Sequence, residues 1–186
     1  GVSQTISSGT SIIGAIGGGI GPQRDDRDWY AIEFSSAGTL KVDFQSIENS
    51  SNAWKILVFD KDQSTYLGIF TCGGQVCQDS GRSISVGIAD AGTYYVSVRS
   101  EGSRRPEGNY RITATALAET TGVEYEPNDA TSNATPITSG TAITGYLMRN
   151  ESDEDFYSFS SSTNGTITFR LDVNESAYYG WEVKLL

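Results

Sequence analysis

Six stretches of this 186-residue chain alternate apolar and polar side chains with a period of two, and that alternation restricts the fold more than any other feature. In "DWYAIEF", Tyr30, Ile32 and Phe34 share one face; in "TLKVDF", Leu40, Val42 and Phe44 do; in "AWKILVF", Trp54, Ile56 and Val58 do. "SISVGI" aligns Ile84, Val86 and Ile88, "TYYVSVR" aligns Tyr94, Val96 and Val98, and "NYRITATA" aligns Tyr110, Ile112 and Ala114. The other faces carry Lys41, Asp43, Ser97 and Arg111, so these runs read as half-buried antiparallel strands. Turn formers at "SSAG", "FDKDQ", "ADAG" and "RRPEG" separate them, and no stretch shows a helical stripe. The expected fold is all-β, an antiparallel β-sandwich of jelly-roll type.

An internal repeat sets the domain organisation. "SSGTSIIG" at 7–14 returns as "TSGTAITG" at 138–145, and "DWYAIEFSSAGTLKVDF" at 28–44 returns as "DFYSFSSSTNGTITFRL" at 155–171. Asp28 matches Asp155, Gly38 matches Gly165 and Trp54 matches Trp181, each 127 residues apart, whereas Gly9 and Gly140 are 131 apart. The first copy therefore carries four extra residues in its glycine-rich "IGGGIGPQ". The expected division is a first sandwich over 1–117, a connector over 118–123, and an acidic leader plus the front half of a second sandwich over 124–186. Such a half would turn Phe159, Ile167, Phe169, Leu171, Trp181 and Val183 towards water, at about 1.5–3 kcal/mol per large side chain. A fragment of a longer chain, or a strand-exchanged dimer, is the expectation.

With 13 Lys and Arg against 23 Asp and Glu, the formal charge is -10, which disfavours nucleic acid and anionic lipid and favours cations as partners. No apolar run is long enough to insert in a membrane. Absence of histidine excludes Ser-His, Cys-His and His-zinc chemistry. The two cysteines, Cys72 and Cys77, enclose "GGQV" and are expected to form a disulfide closing a hairpin in a secreted protein. A reactive thiol pair is the other reading, with no basic helix terminus or histidine to activate it.

The segment "EYEPND" at 124–129 concentrates carboxylates between the two copies. Taken with "GTAITGYL", "DEDFYSF", "NGTITFRL" and the "AGTYYVSV" at 91–98, it resembles the bacterial pre-peptidase C-terminal domain. The ordered set spans Gln4 to Leu186, as one copy without its acidic leader and one without its back half. That family is similar in fold to the calcium-binding, collagen-binding modules of clostridial collagenases and accompanies secreted peptidases and other hydrolases as a non-catalytic appendage. The resemblance implies calcium ligands at Glu124, Glu126, Asn128, Asp129 and Asp155. The relatives place a further acid three residues before the last; Ser152 stands there, and the adjacent Asp153 is taken as its substitute. Physical chemistry agrees, since calcium takes six to eight hard oxygens and a flexible leader can wrap it while a strand-start aspartate closes the far side. A solvated acidic linker is the bland alternative.

Asp25 and Asp28 in "DDRDWY" mark a vacant or weak counterpart site in the first copy. "DKDQS" at 60–64 imitates an EF-hand opening, but Thr65 and Thr71 occupy the Gly and Glu positions, so it reads as a turn. Where the collagen-binding relatives carry tyrosines, Arg99 and Glu101 stand, which weighs against collagen. Trp29 and Tyr95, out of phase with the core, are expected to be exposed and able to stack on sugar or peptide. The leading expectation is a non-catalytic, calcium-stabilised accessory module of a secreted bacterial enzyme, a peptidase, serving substrate or surface binding, secretion or stability. Its partners would be an extracellular protein or polysaccharide substrate and a parent catalytic domain elsewhere in the full-length chain. The alternative is a repeat of an extracellular adhesin with calcium-rigidified junctions, binding glycan or peptide. A carboxylate hydrolase comes third, because the acids gather at a linker and a strand start instead of lining an aromatic cleft.

Overall fold

The computed structural model describes residues 2–17, 26–47, 53–101, 108–118, 122–148, 153–173 and 182–186. In chain order its elements are β1 (Gln4–Thr5), β2 (Ser11–Ile16), β3 (Arg27–Phe34), β4 (Gly38–Ser46), β5 (Ala53–Phe59), β6 (Tyr66–Gly73), α1 (Gly74–Asp79), β7 (Arg82–Ile88), β8 (Gly92–Glu101), β9 (Gly108–Leu117), β10 (Tyr125–Glu126), a 3-10 turn (Thr131–Asn133), β11 (Thr135–Pro136) and β12 (Tyr157–Ser158). All six alternating runs are strands. One sheet has the order β1-β3-β8-β5-β6, and the other β10-β7-β4-β9-β2.

The apolar faces of the two sheets meet, as the alternation requires. Leu40, Val42, Trp54, Ile56, Val58, Val98, Tyr110 and Ile112 have no exposed surface. Each such burial contributes about 1.5–3 kcal/mol. Phe44 stacks on Tyr110 at 5.2 Å between ring centroids, and Trp54 meets Tyr110 edge-on at 5.3 Å.

Strand β6 breaks the period of two. A bulge opposite Val58 and Phe59 lets Leu67 join Phe70 and Cys72 in the core, so its apolar positions do not alternate. The hairpin between β5 and β6 closes through "DKDQS", which is a turn as expected. There the Asp62 carboxylate accepts the backbone N–H groups of Ser64 and Thr65 at 2.8 Å and both hydroxyls at 2.7 Å. Cys72 and Cys77 do form a disulfide, with Cα atoms 5.3 Å apart. It closes no hairpin: "GGQV" opens the short helix α1, and the bridge ties that helix to the end of β6.

The repeat offsets recur in hydrogen-bond register. Strand β1 runs parallel to β3 with Gln4 opposite Tyr30 and Thr5 opposite Ala31. Strand β11 runs parallel to β12 with Thr135 opposite Tyr157 and Pro136 opposite Ser158. The next bonds also correspond, Ile6 N–H to Ala31 C=O and Ile137 N–H to Ser158 C=O, both at 2.9 Å. Gly9 and Gly140 both take left-handed backbone, with φ of 73° and 77°.

Beyond Ser158 no described residue lies in a strand. Ile167, Phe169, Leu171 and Val183 are 47% to 69% exposed, and Phe159 is half-buried. Trp181 lies outside the described residues.

The acidic segment at 124–126 attaches to the sandwich. Strand β10 runs parallel to β7, with Tyr125 opposite Gly87 and Glu126 opposite Ile88. Gly87 makes the approach feasible, because a Cβ there would lie 2.1 Å from the Glu124 carbonyl oxygen. No helix among the described residues is long and apolar enough to cross a membrane.

Candidate metal-binding site

Pairing of β10 with β7 fixes the backbone that carries Glu124 and Glu126. The Gly87 N–H donates to the Glu124 carbonyl at 3.0 Å, and the Glu124 N–H donates to Thr144 C=O at 3.1 Å. After the cis Glu126-Pro127 bond, the Asn128 carbonyl accepts the Phe156 N–H at 3.1 Å, and the Thr135 N–H donates to Phe156 C=O at 2.8 Å. Those two bonds hold Asp155 beside the leader.

Three carboxylates converge as a result. Glu124, Glu126 and Asp155 each offer an oxygen, and these oxygens lie within 4.8 Å of one another. Glu124 is 2% exposed, Glu126 6% and Asn128 0%, so the cluster is a buried one. Around it, the Tyr157 hydroxyl and the Tyr146 N–H donate to Glu124, and the Met148 N–H donates to Asp153 Oδ2. The Asn128 N–H donates to Glu126 Oε2 at 3.1 Å, and its side-chain amide donates to Thr135 Oγ1 at 3.3 Å.

Four oxygens remain without a hydrogen bond although they are buried: Glu126 Oε1, Asn128 Oδ1, Asp153 Oδ1 and Asp155 Oδ1. A buried acceptor left without a donor costs about 1–3 kcal/mol, and more when it is charged. Four in one place call for a positive group. Burial, then the charges of Glu124, Asp153 and Asp155, pushes the Glu126 carboxyl up to about 9. Burial and Glu124 raise Asp155 to about 7, and burial, with Asp129 alongside, raises Asp153 to about 6. The donor set contains only oxygen, which suits a hard divalent cation such as calcium and not a thiolate- or imidazole-seeking metal.

The expected ligands thus separate. Glu124, Glu126, Asn128, Asp153 and Asp155 are brought together, whereas Asp129 is exposed at the rim beside Asp153. Unforeseen members are Tyr157, Thr135 and Gly145. A Cβ at Gly145 would lie 2.5 Å from the Tyr157 hydroxyl and 2.6 Å from Glu124 Oε2. The repeat alignment contained the signal, since it sets Tyr157 on Tyr30 and Gly145 on Gly14.

At the positions that the sequence repeat aligns with Asp155 and Tyr157, Asp28 and Tyr30 join a hydroxyl chain. Tyr110 donates to Asp28 Oδ2 at 2.6 Å and lies 2.7 Å from the Tyr30 hydroxyl. Burial raises Asp28, and the Tyr110 bond opposes that rise. Asp25 lies outside the described residues. Trp29 and Tyr95 are half-buried, not exposed as expected. The Trp29 ring packs 4.9 Å from Phe59, and the Arg27 guanidinium lies 5.8 Å over it, because the outer face of this sheet carries its own apolar cluster.

Fold and site define a two-sheet antiparallel β-sandwich module with an oxygen-only cage at its edge. Residues 26–100 match the family model of the bacterial pre-peptidase C-terminal domain. Among solved structures, the chain is similar to the pre-peptidase C-terminal domain of collagenase from Bacillus anthracis, at 18% identity and a TM-score of 0.45, covering 61% of this chain and 95% of that one. It is also similar to the Podospora anserina GH26-CBM35 β-(1,4)-mannanase, at 10% identity and a TM-score of 0.30, covering 68% of this chain and 29% of that one. No curated protein matches the chain.

Proposed function

We propose that this chain is a non-catalytic accessory module of a secreted bacterial enzyme, a peptidase, and that calcium stabilises it. The reading rests on one observation above others: of the oxygens gathered at three mutually close carboxylates and the adjoining Asn128 and Asp153, four are buried without donors. Glu124, Glu126, Asn128, Asp153 and Asp155 supply the ligands, and water completes the six to eight that calcium takes. Residues 124–186 form the leader and front of a second copy, a reading supported by the matching registers of β1 with β3 and β11 with β12. The match of residues 26–100 to a family described as pre-peptidase C-terminal supports the accessory role.

Calorimetric titration with calcium chloride tests the site. One binding event is expected for the wild type and none for the Glu126→Gln/Asp155→Asn variant. Equal titrations for the two proteins would remove the assignment.

An adhesin repeat is the second reading, favoured by the way β10 is bonded to β7 of one sandwich while Asp155 follows in the next unit. A cation there would stiffen the junction. The flanking sequence separates the two: an attached catalytic domain supports the accessory module, and a long series of sandwiches supports the adhesin.

A further inference from the structure

The two large sheets end in β1, β6, β10 and β2, and three of these edges are guarded. β1 and β10 are two residues long. Along β6 the Tyr146 hydroxyl donates to the Ile69 carbonyl, Arg82 Nη1 donates to the Thr71 carbonyl at 3.2 Å, and the ladder with β5 is bulged. Strand β2 has no such device. Its six residues, "SIIGAI", contain no charge and no proline, and Ile13 is 64% exposed. A long, uncharged, β-branched edge is a template for a further strand, which proteins ordinarily blunt.

The ladder shows which groups of β2 are available. The Ile47 N–H donates to Asn109 C=O at 3.0 Å, which turns the backbone groups of Asn109, Arg111 and Thr113 towards β4. In a strand the N–H and C=O of one residue point to one side and the side alternates, so Tyr110 and Ile112 face β2, where Gly14 and Ile12 stand opposite them. Ser11, Ile13 and Ala15 therefore direct N–H and C=O away from β9, and among the described residues nothing receives them. Their side chains share the exposed face.

We propose that this edge pairs with β2 of a second molecule of this chain, antiparallel, with the two-fold axis at Ile13. In that register Ile13 meets its own mate and Ser11 meets Ala15, so every outward N–H and C=O of the three finds a partner. On the inner face Ile12 meets Gly14, a large side chain beside an absent one. Charge favours a self-match here over the rest of the surface. The chain carries -10, yet the residues opposite Ser11, Ile13 and Ala15 on β9 are Thr113, Arg111 and Asn109, and Arg111 is bonded to Gln45. Across the axis the two Arg111 side chains stand three strand steps apart, about 14 Å, beyond the range of about 8–10 Å over which charges act at physiological salt. A foreign strand is selected by pockets or charges for its side chains, and this edge offers neither, whereas a self-match needs only the shared register. Pairing closes at two molecules because it consumes the one unguarded edge. The inference does not rest on the calcium reading, since none of its residues belongs to the oxygen cage.

Sedimentation equilibrium of the 186-residue chain tests it. Edge pairing buries less than a standard interface, so association is weak and depends on concentration. The mean mass of the wild type is expected to rise towards that of a dimer over a hundredfold increase in concentration, and further at higher salt, which screens the net charge. Ile13→Lys and Ile13→Glu each set like charges opposite one another on the axis and are expected to stay monomeric, while an equimolar mixture of the two recovers dimer. A wild type that stays monomeric, single variants that associate as the wild type does, or a mixture that stays monomeric overturns the proposal. Capture of an added peptide spanning residues 120–128 by an otherwise monomeric wild type overturns it in favour of a strand of that kind. Cooperative melting of the variants with an unchanged response to calcium shows that the cage is intact, so failure here is distinct from failure of the calcium reading. If a variant at Ile13 does not melt cooperatively, Ala15→Pro replaces it, because it removes an N–H that bonds nothing within the described chain. At least tenfold weaker association is expected of that variant, and wild-type association counts against the proposal.

Discussion

Gly14 and Gly145 occupy equivalent positions and are small for related reasons. A Cβ at Gly14 would lie 2.4 Å from Tyr110 Cζ and 2.6 Å from the Tyr30 hydroxyl; one at Gly145 would meet Tyr157 and Glu124. Gly14→Ala is expected to cost about 1–3 kcal/mol in denaturant unfolding, the usual range for overpacking. Gly145→Ala is expected to reduce calcium affinity at least tenfold in titration, since Glu124 must move. The cage also sets a pH dependence. Without metal, Glu126 titrates at about 9 in the folded chain against an ordinary 4.5, so the unfolded chain loses that proton first. Its contribution is complete below the lower value and is lost as pH rises through the upper one. Asp155, at about 7, and Asp153, at about 6, act in the same direction from 3.8. Chelated protein should therefore melt lower at pH 8 than at pH 5.5, and the gain from calcium should be larger at pH 8. The acids were legible in the sequence because charge clustered beside a repeat boundary is conspicuous. Thr135 was not, because it enters through hydrogen bonds that only the fold brings about, and Tyr157 was marked only by its alignment with Tyr30.

Strand β10 is two residues long, yet it carries Glu126 and follows directly on Glu124, two of the five ligands proposed for calcium. Its docking depends on Gly87. Gly87→Ala forces a Cβ against the Glu124 carbonyl and should release β10, lowering calcium affinity at least tenfold while the other nine strands of the two large sheets stay intact. Titration together with amide exchange at Gly87 and Glu124 measures both effects. The six periodic strands were readable because each has one wet face and one dry face. Strand β6 escaped that reading, since its bulge puts Leu67 on the core side next in sequence to Gly68, whose Cβ would meet Ile84 and Val86. Helix α1, at six residues, is too short to show a stripe. The disulfide was visible as a close cysteine pair, but the sequence spacing did not distinguish a hairpin from a helical turn.

Among the described residues, the carboxylates of Glu124, Glu126, Asp153 and Asp155 gather in one cage at the edge of the sandwich. The cage lies where β10, bonded to the sandwich, meets the segment that carries β11 and β12. A cation bound there ties the two together and favours the folded state by mass action, about 2.7 kcal/mol at a concentration one hundred times Kd. For a chain of this size that corresponds to a rise of roughly 5–10 °C in Tm. Thermal melting at pH 8 in saturating calcium and in chelator measures this directly. A rise of that order is expected for the wild type and none for Glu126→Gln/Asp155→Asn, whereas superimposed wild-type curves in calcium and chelator would contradict a stabilising cation site.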